Sequence, residues 1–171
     1  SPLVKGKGLL EEIYSAYAEK KRQDFKKLKE NEERLNEVFA KIYGVEGVVE
    51  TSVLDEDVII GRADYCQDMK NLISYSVGCM FGRYSLDRDG IVFAGGMWDS
   101  SKYVTFIPDK DAIIPICDDE YFEDDIVGRF VEFMRIAFGE DDLENNLSFV
   151  DHALNYEGTS RHVLRQYFIN D

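Results

Sequence analysis

Residues 8–43 follow one helical pattern, and a helix of that length dominates what this chain can fold into. Leu10, Ile13, Tyr14 and Tyr17 keep helical spacing at its start, and Leu35, Val38, Phe39 and Ile42 keep it at its end. Gly44 is a natural stop, because glycine enters the left-handed turn that closes a helix without steric cost. The middle, Lys20 to Glu33, is almost wholly polar, with Phe25 and Leu28 as its apolar exceptions. Glu19, Asp24 and Glu30 stand three or four residues from Lys20, Lys21, Arg22, Lys26 and Lys27, so this middle reads as a solvated face laced by ion pairs. The same five cations are the first candidates for leaning on a phosphate backbone.

A second helix is predicted over roughly Tyr65 to Tyr84. Ile73, Val77, Met80, Phe81 and Tyr84 fall on one face of it. Gly78 and Gly82 lie four apart within that stretch, and each costs up to ~1 kcal/mol in a helix interior. Close approach of another helix is the ordinary compensation, which predicts that this is the central buried helix. A Leu at position 78 should then overpack that contact.

Leu86 to Phe106 reads as β. Asp87-Arg88-Asp89-Gly90 is a turn sequence, Ile91-Val92-Phe93-Ala94 a strand, Gly95-Gly96 a turn and Tyr103-Val104-Thr105-Phe106 a second strand. The spaced acids of the first turn mimic part of a calcium loop but lack its downstream glutamate. Val45 to Ala63 reads as an irregular surface loop; Glu50 and Asp55-Glu56-Asp57 lack calcium-loop spacing as well.

Pro115 keeps Ile114 extended. The acids Asp118, Asp119, Glu120, Glu123, Asp124 and Asp125 then precede a broad apolar stripe from Ile126 to Phe138, where negative charge faces the positive end of a helix dipole. Leu143, Leu147, Val150 and Leu154 mark the next helix. Gly158 ends it, and Thr159 or Ser160 caps a last one from Arg161 to Ile169. The predicted fold is mainly α: a helical domain with a small antiparallel β-hairpin, preceded by a long N-terminal helix. Residues 1–44 read as the helical segment and 45–171 as a compact α-rich domain.

A chain of 171 residues with 11 Phe, 10 Tyr and 1 Trp has enough apolar mass for a packed core. Cys66, Cys79 and Cys117 are odd in number and have no metal-ligand spacing, so reduced thiols are expected. His152 and His162 have no Cys or Asp at ligand spacing and read as ordinary imidazoles. Ser1-Pro2-Leu3-Val4-Lys5 has no apolar stretch of a secretory leader, and no segment is long enough to span a membrane; a cytoplasmic location follows as an expectation. Net charge is −14 and uneven. Residues 1–43 carry ten Lys/Arg against eight Asp/Glu, while the remainder carries ten against 26, a net −16. Binding to DNA depends on neutralising phosphates. The acidic body is therefore not the surface expected to lie on a duplex.

One stretch is too particular for generic core: Leu72-Ile-Ser-Tyr-Ser-Val-Gly-Cys-Met-Phe-Gly-Arg-Tyr-Ser-Leu-Asp87, then Phe93-Ala-Gly-Gly-Met-Trp-Asp-Ser-Ser-Lys-Tyr103, then Phe106-Ile-Pro108. With Asn31 to Asn36 leading into Ile42-Tyr43-Gly44, the run Ile113 to Phe130, and Gly158-Thr159 to Asn170, it resembles a segment of the PglX family. These are adenine-specific DNA methyltransferases of BREX phage-exclusion systems. More loosely, it is similar to the fused type IIG restriction-modification enzymes.

The resemblance covers most of the chain and implies a much longer parent. That parent would transfer a methyl group from S-adenosylmethionine to adenine N6 and so mark host DNA. It also implies a place for this piece between the methyltransferase core and the region that reads the target. The implied partners are DNA, through the parent, and other phage-defence proteins.

The residues for that chemistry are not in this segment. An adenine amino-methyltransferase needs an Asn-Pro-Pro-Tyr type loop to clamp the flipped base. The prolines here are Pro2, Pro108 and Pro115, none in tandem. S-adenosylmethionine sits on a glycine-rich turn after a strand. Phe93-Ala94-Gly95-Gly96 is the nearest match, and it lacks the spaced glycines. Pro108-Asp109 opens no nuclease motif, because Lys110 is the last lysine. The expectation is a catalytically silent piece with no cofactor or metal site of its own.

Arg83, Tyr84, Trp98 and Lys102 join the five helix cations as candidate DNA contacts, as side chains that stack on or clamp nucleic acid. Two other readings stand beside this one: a fragment of a type IIG enzyme that also cuts DNA, and a protein-interaction module without direct DNA contact.

Overall fold

A computed structural model of the chain describes residues 2–4, 6–122 and 124–170, and five α-helices carry its fold. They are α1 (Leu10–Tyr43), α2 (Tyr65–Met80), α3 (Ile126–Phe138), α4 (Leu143–His152) and α5 (Ser160–Asn170), with short 3-10 turns at Asp55–Asp57 and Ser100–Lys102. The chain divides into two compact units: Ser1–Tyr14 with Tyr65–Asp171, and Ser15–Asp64.

The first unit is built around α3. Asp125 starts this helix by accepting a hydrogen bond from the Gly128 N–H at 2.6 Å, and Gly139 (φ 107°) ends it. Ile126, Val127, Phe130, Val131, Phe133, Met134 and Phe138 are all buried. Burying a Phe, Met or Val side chain stabilises by about 1.5–3 kcal/mol relative to leaving it in water. α3 packs against α2, α4 and α5, so it, rather than α2, is the central helix.

The predicted hairpin is absent: the described residues contain no strand, and Ile91–Ala94 and Tyr103–Phe106 are irregular. A carboxylate does the work of a ladder. Asp87 accepts hydrogen bonds from the Val104 N–H (2.7 Å), the Thr105 N–H (2.9 Å) and Thr105 Oγ1 (2.5 Å). With their amides taken by a side chain, residues 104 and 105 have none left for a partner strand. In the backbone, Val92 donates to the Arg83 carbonyl at 2.9 Å and Asp109 to the Met80 carbonyl at 2.8 Å. An isolated two-stranded hairpin is marginal in water in any case.

Gly78 in α2 and Gly82 just beyond it are crowded by rings, not by a helix. A Cβ at Gly78 would lie 2.4 Å from the Tyr84 ring, and one at Gly82 would lie 2.5 Å from Trp98. Gly82 has φ +73° and follows the helix end, so the chain turns there and folds its aromatic residues back onto α2.

Two long-range polar contacts close this unit. Asn146 on α4 accepts from the Leu10 N–H at 2.7 Å and donates to the Gly8 carbonyl at 3.0 Å, capping the start of α1 from 136 residues away. Arg165 on α5 pairs with buried Asp125 at 2.7 Å and donates to the carbonyls of Cys117 (2.9 Å) and Asp119 (3.1 Å). The acidic stretch before α3 is thus fastened by one arginine.

The second unit is the rest of α1 and a return segment. Val45 donates to the Ala40 carbonyl around Gly44, and Asn36 donates to the Thr51 carbonyl at 3.3 Å. The Val53 N–H reaches Glu33 at 3.2 Å, and Lys29 pairs with Asp55 at 2.7 Å. Arg62 also bonds Asp55 and lies 4.6 Å over the Phe25 ring. Partners on α1 descend as those on the return rise, so the return runs antiparallel to the helix. Phe25, Ala40 and Val58 are its buried apolar side chains.

Candidate nucleic-acid interface

The nine candidate contacts fall into two groups, one in each unit. Lys20, Lys21, Arg22, Lys26 and Lys27 lie on α1 in the second unit, where the 3.6-residue period spreads them around the helix. Lys20 and Lys27 share one face, and Arg22 and Lys26 another. Arg22 donates twice to Glu19, at 2.9 and 2.8 Å, and Lys26 stands 3.6 Å from Glu30. Lys21 lies 5.8 Å over the Tyr17 ring. Hydrogen bonding to Arg22, then to Gln23, holds the Glu19 carboxyl below its ordinary range, so the pair is charged at neutral pH. Two of the five cations are therefore neutralised at the predicted i,i+3 and i,i+4 spacing.

Arg83, Tyr84, Trp98 and Lys102 belong to the long irregular stretch between α2 and α3. The structure gathers its aromatic rings tightly. Trp98 stacks on Tyr103 (4.7 Å between centroids, 7° between planes) and meets Phe93 edge-on at 5.2 Å. Tyr103 donates to the Gly82 carbonyl, and burial pushes its phenol upward. Tyr84 stacks on Tyr75 at 5.1 Å. Arg83 is exposed and lies 5.8 Å over the Tyr84 ring, while Lys102 stands 3.9 Å from Asp99.

Trp98 remains 48% exposed and borders a cleft of about 470 Å³ with Phe81, Phe93, Tyr103 and Pro108. One face of the indole is occupied by Tyr103.

Asp87 is the polar centre of this stretch. Burial alone would raise its carboxyl, but hydrogen bonds from Thr105, Val104 and Ser85 outweigh it and hold the group below its ordinary value. Ser85 is buried and links the same node to the Lys102 carbonyl at 2.8 Å. Sequence reasoning treated Asp87 as a turn residue. Its partners lie 17 and 18 positions on, and no local pattern announces them.

Gly95 and Gly96 have positive φ (119° and 92°), yet a Cβ added at either meets nothing within 4 Å. No strand leads into them, and the next helical element is the three-residue turn Ser100–Lys102. The turn therefore lacks the preceding strand and following helix of a glycine-rich nucleotide turn. Among the described residues no group of three His, Cys, Asp or Glu is placed to hold a metal ion. Cys79 is buried, and burial pushes its thiol up to about 11; Cys66 is exposed and Cys117 half-buried. No helix among the described residues is long and apolar enough to cross a membrane.

No family model matches the chain. Two curated proteins do. The chain is 45% identical over 150 residues, 86% of its length, to the adenine-specific methyltransferase PglX of Lacticaseibacillus casei (strain Zhang). The chain corresponds to one segment of the PglX-type proteins. It is also 33% identical over 176 residues to the adenine-specific methyltransferase BrxX of Escherichia coli O9:H4 (strain HS), covering 89% of the chain. It spans only 12% and 14% of the lengths of PglX and BrxX.

Proposed function

We propose that this chain is a non-catalytic, architectural segment of an adenine-N6 DNA methyltransferase that serves phage defence in the cytoplasm. It holds the methyltransferase core and the target-reading region in register on the duplex. The observation that carries this reading is the 45% identity to a PglX protein over 86% of the chain, at a segment spanning 12% of that protein.

The geometry supports a supporting role over direct DNA contact. Arg22, Lys26 and Lys102 stand beside carboxylates, and Trp98 and Tyr84 are stacked on the chain's own rings. Binding of S-adenosylmethionine and of DNA by the parent belongs to other segments. Anisotropy titration of the isolated chain with duplex DNA tests the reading. No binding is expected near 150 mM salt, where the Debye length is about 8 Å. Sub-micromolar binding there would sink the architectural role and move Arg83, Tyr84, Trp98 and Lys102 forward as direct contacts.

A further inference from the structure

The second unit leaves an unusual amount of apolar surface uncovered. Leu35, Val38, Phe39 and Ile42 stand at i, i+3, i+4 and i+7 on α1, the stripe expected to face a core, yet Leu35 is 55% and Ile42 69% exposed. Across the turn at Gly44, Val48 is 81% exposed. Scattered single apolar residues on a surface need no explanation, whereas a contiguous patch marks an interaction site. The residues at this end of α1 and its turn also enclose a groove of about 510 Å³. Val38, Ala40 and Val49 lie in its lining, with Glu37, Glu46 and Glu50 among its rim.

We infer that this face is a docking surface for another part of a PglX-type polypeptide, one presenting an apolar ridge flanked by Lys or Arg. The inference rests on the reading of the chain as one segment of such a protein. Two observations select this occupant. The chain spans 12% and 14% of its relatives, so most of a PglX-type protein lies outside it and is available to cover the face. The groove that adjoins the stripe at Val38 carries Glu37, Glu46 and Glu50 against Lys41, which favours a basic flank on that side and disfavours nucleic acid. A helix laying an i, i+3, i+4, i+7 stripe against a complementary surface is a common recognition mode.

The test compares the 171-residue chain with a chimera in which it replaces the matching segment of the L. casei PglX. Hydroxyl-radical footprinting reads the side chains directly. Oxidation of the peptide carrying Leu35, Val38, Phe39, Ile42 and Tyr43 is expected to fall at least fivefold in the chimera. Equal oxidation in both would overturn the inference. A second arm needs no chimera: L35E/I42E in the isolated chain should leave its denaturation midpoint unchanged and at least halve its binding of an apolar dye. A large loss of stability would show that the face is internal, and sedimentation showing a dimer abolished by L35E/I42E would assign it to a second copy; either result overturns the proposal. Loss of protection without DNA binding sinks the docking surface alone, and DNA binding with protection intact sinks the architectural reading alone.

Discussion

Gly82 and Asp87 show how single residues shape the stretch between α2 and α3. An L-residue at a left-handed φ costs roughly 1–2 kcal/mol. Gly82 has φ +73°, and an added methyl would meet the Trp98 ring at 2.5 Å. Gly82→Ala is therefore expected to cost about 1–3 kcal/mol, strain and overpacking together. Trp98 is the one tryptophan of the chain, so its fluorescence should shift in the variant. In a Trp98→Ala background the cost should shrink toward the backbone part alone, measurable in denaturant. At Asp87 the prediction is one of pH. Its carboxyl is held below the ordinary value of 3.8 by its donors in the folded state. The stability it contributes is complete above that value and is lost as pH falls through the lower, folded one. Because the bonds it accepts are exposed to solvent, Asp87→Asn should cost at most about 1 kcal/mol near neutrality and flatten the acid limb of the stability curve below about pH 4. An unchanged acid limb would remove Asp87 as the organising group.

At the scale of elements, the buried pair between Arg165 and Asp125 joins α5 to the start of α3. Removing one partner of a buried pair strands the other, at a cost of about 3–5 kcal/mol. Arg165→Met is expected to destabilise by that order in a thermal or denaturant melt, and an Arg165→Met/Asp125→Asn double variant should recover part of it. The helices themselves were legible in sequence, because apolar spacing repeats over several turns and Gly44 and Gly139 stop two of them; α4 ends at His152, well short of the expected stop at Gly158. So were the Glu19–Arg22 and Lys26–Glu30 pairs, which depend on spacing along one helix. The hairpin was misread because Ile91–Ala94 and Tyr103–Phe106 satisfy strand propensity, while the side chain that takes their place in bonding, Asp87, acts across the chain. Gly78 and Gly82 correctly signalled a close approach, but the sequence does not say that the approaching groups are rings. The Asn146 cap and the Arg165 fastening join residues 136 and 40 positions apart and leave no periodic trace. The candidate contacts were nameable by residue type; their engagement with one another was not.

For the molecule as a whole, charge sets the terms. Residues 1–43 are slightly positive, and the rest carries ten cations against 26 acids. The slope of binding against salt reports how many phosphates are neutralised, at about 0.9 per contact. Any duplex binding at low salt should therefore show a shallow slope, of about five contacts at most. Replacing Lys20, Lys21, Arg22, Lys26 and Lys27 with Gln should abolish it in an anisotropy titration. Residual binding that survives this change would place the contact elsewhere.

The cap on α1 has a consequence for synthesis. Gly8 and Leu10 find their partners only at Phe138 and Asn146, whereas residues 15–64 contain the bonds that close their own unit. Tyr14 and Tyr65, at the two ends of that excursion, pack their rings 5.5 Å apart. A ribosome thus releases both sets of bonding partners in residues 15–64 long before the frame that starts and ends around them can shut. During that interval the stripe at Leu35, Val38, Phe39 and Ile42 lies open to whatever else has emerged from the exit tunnel.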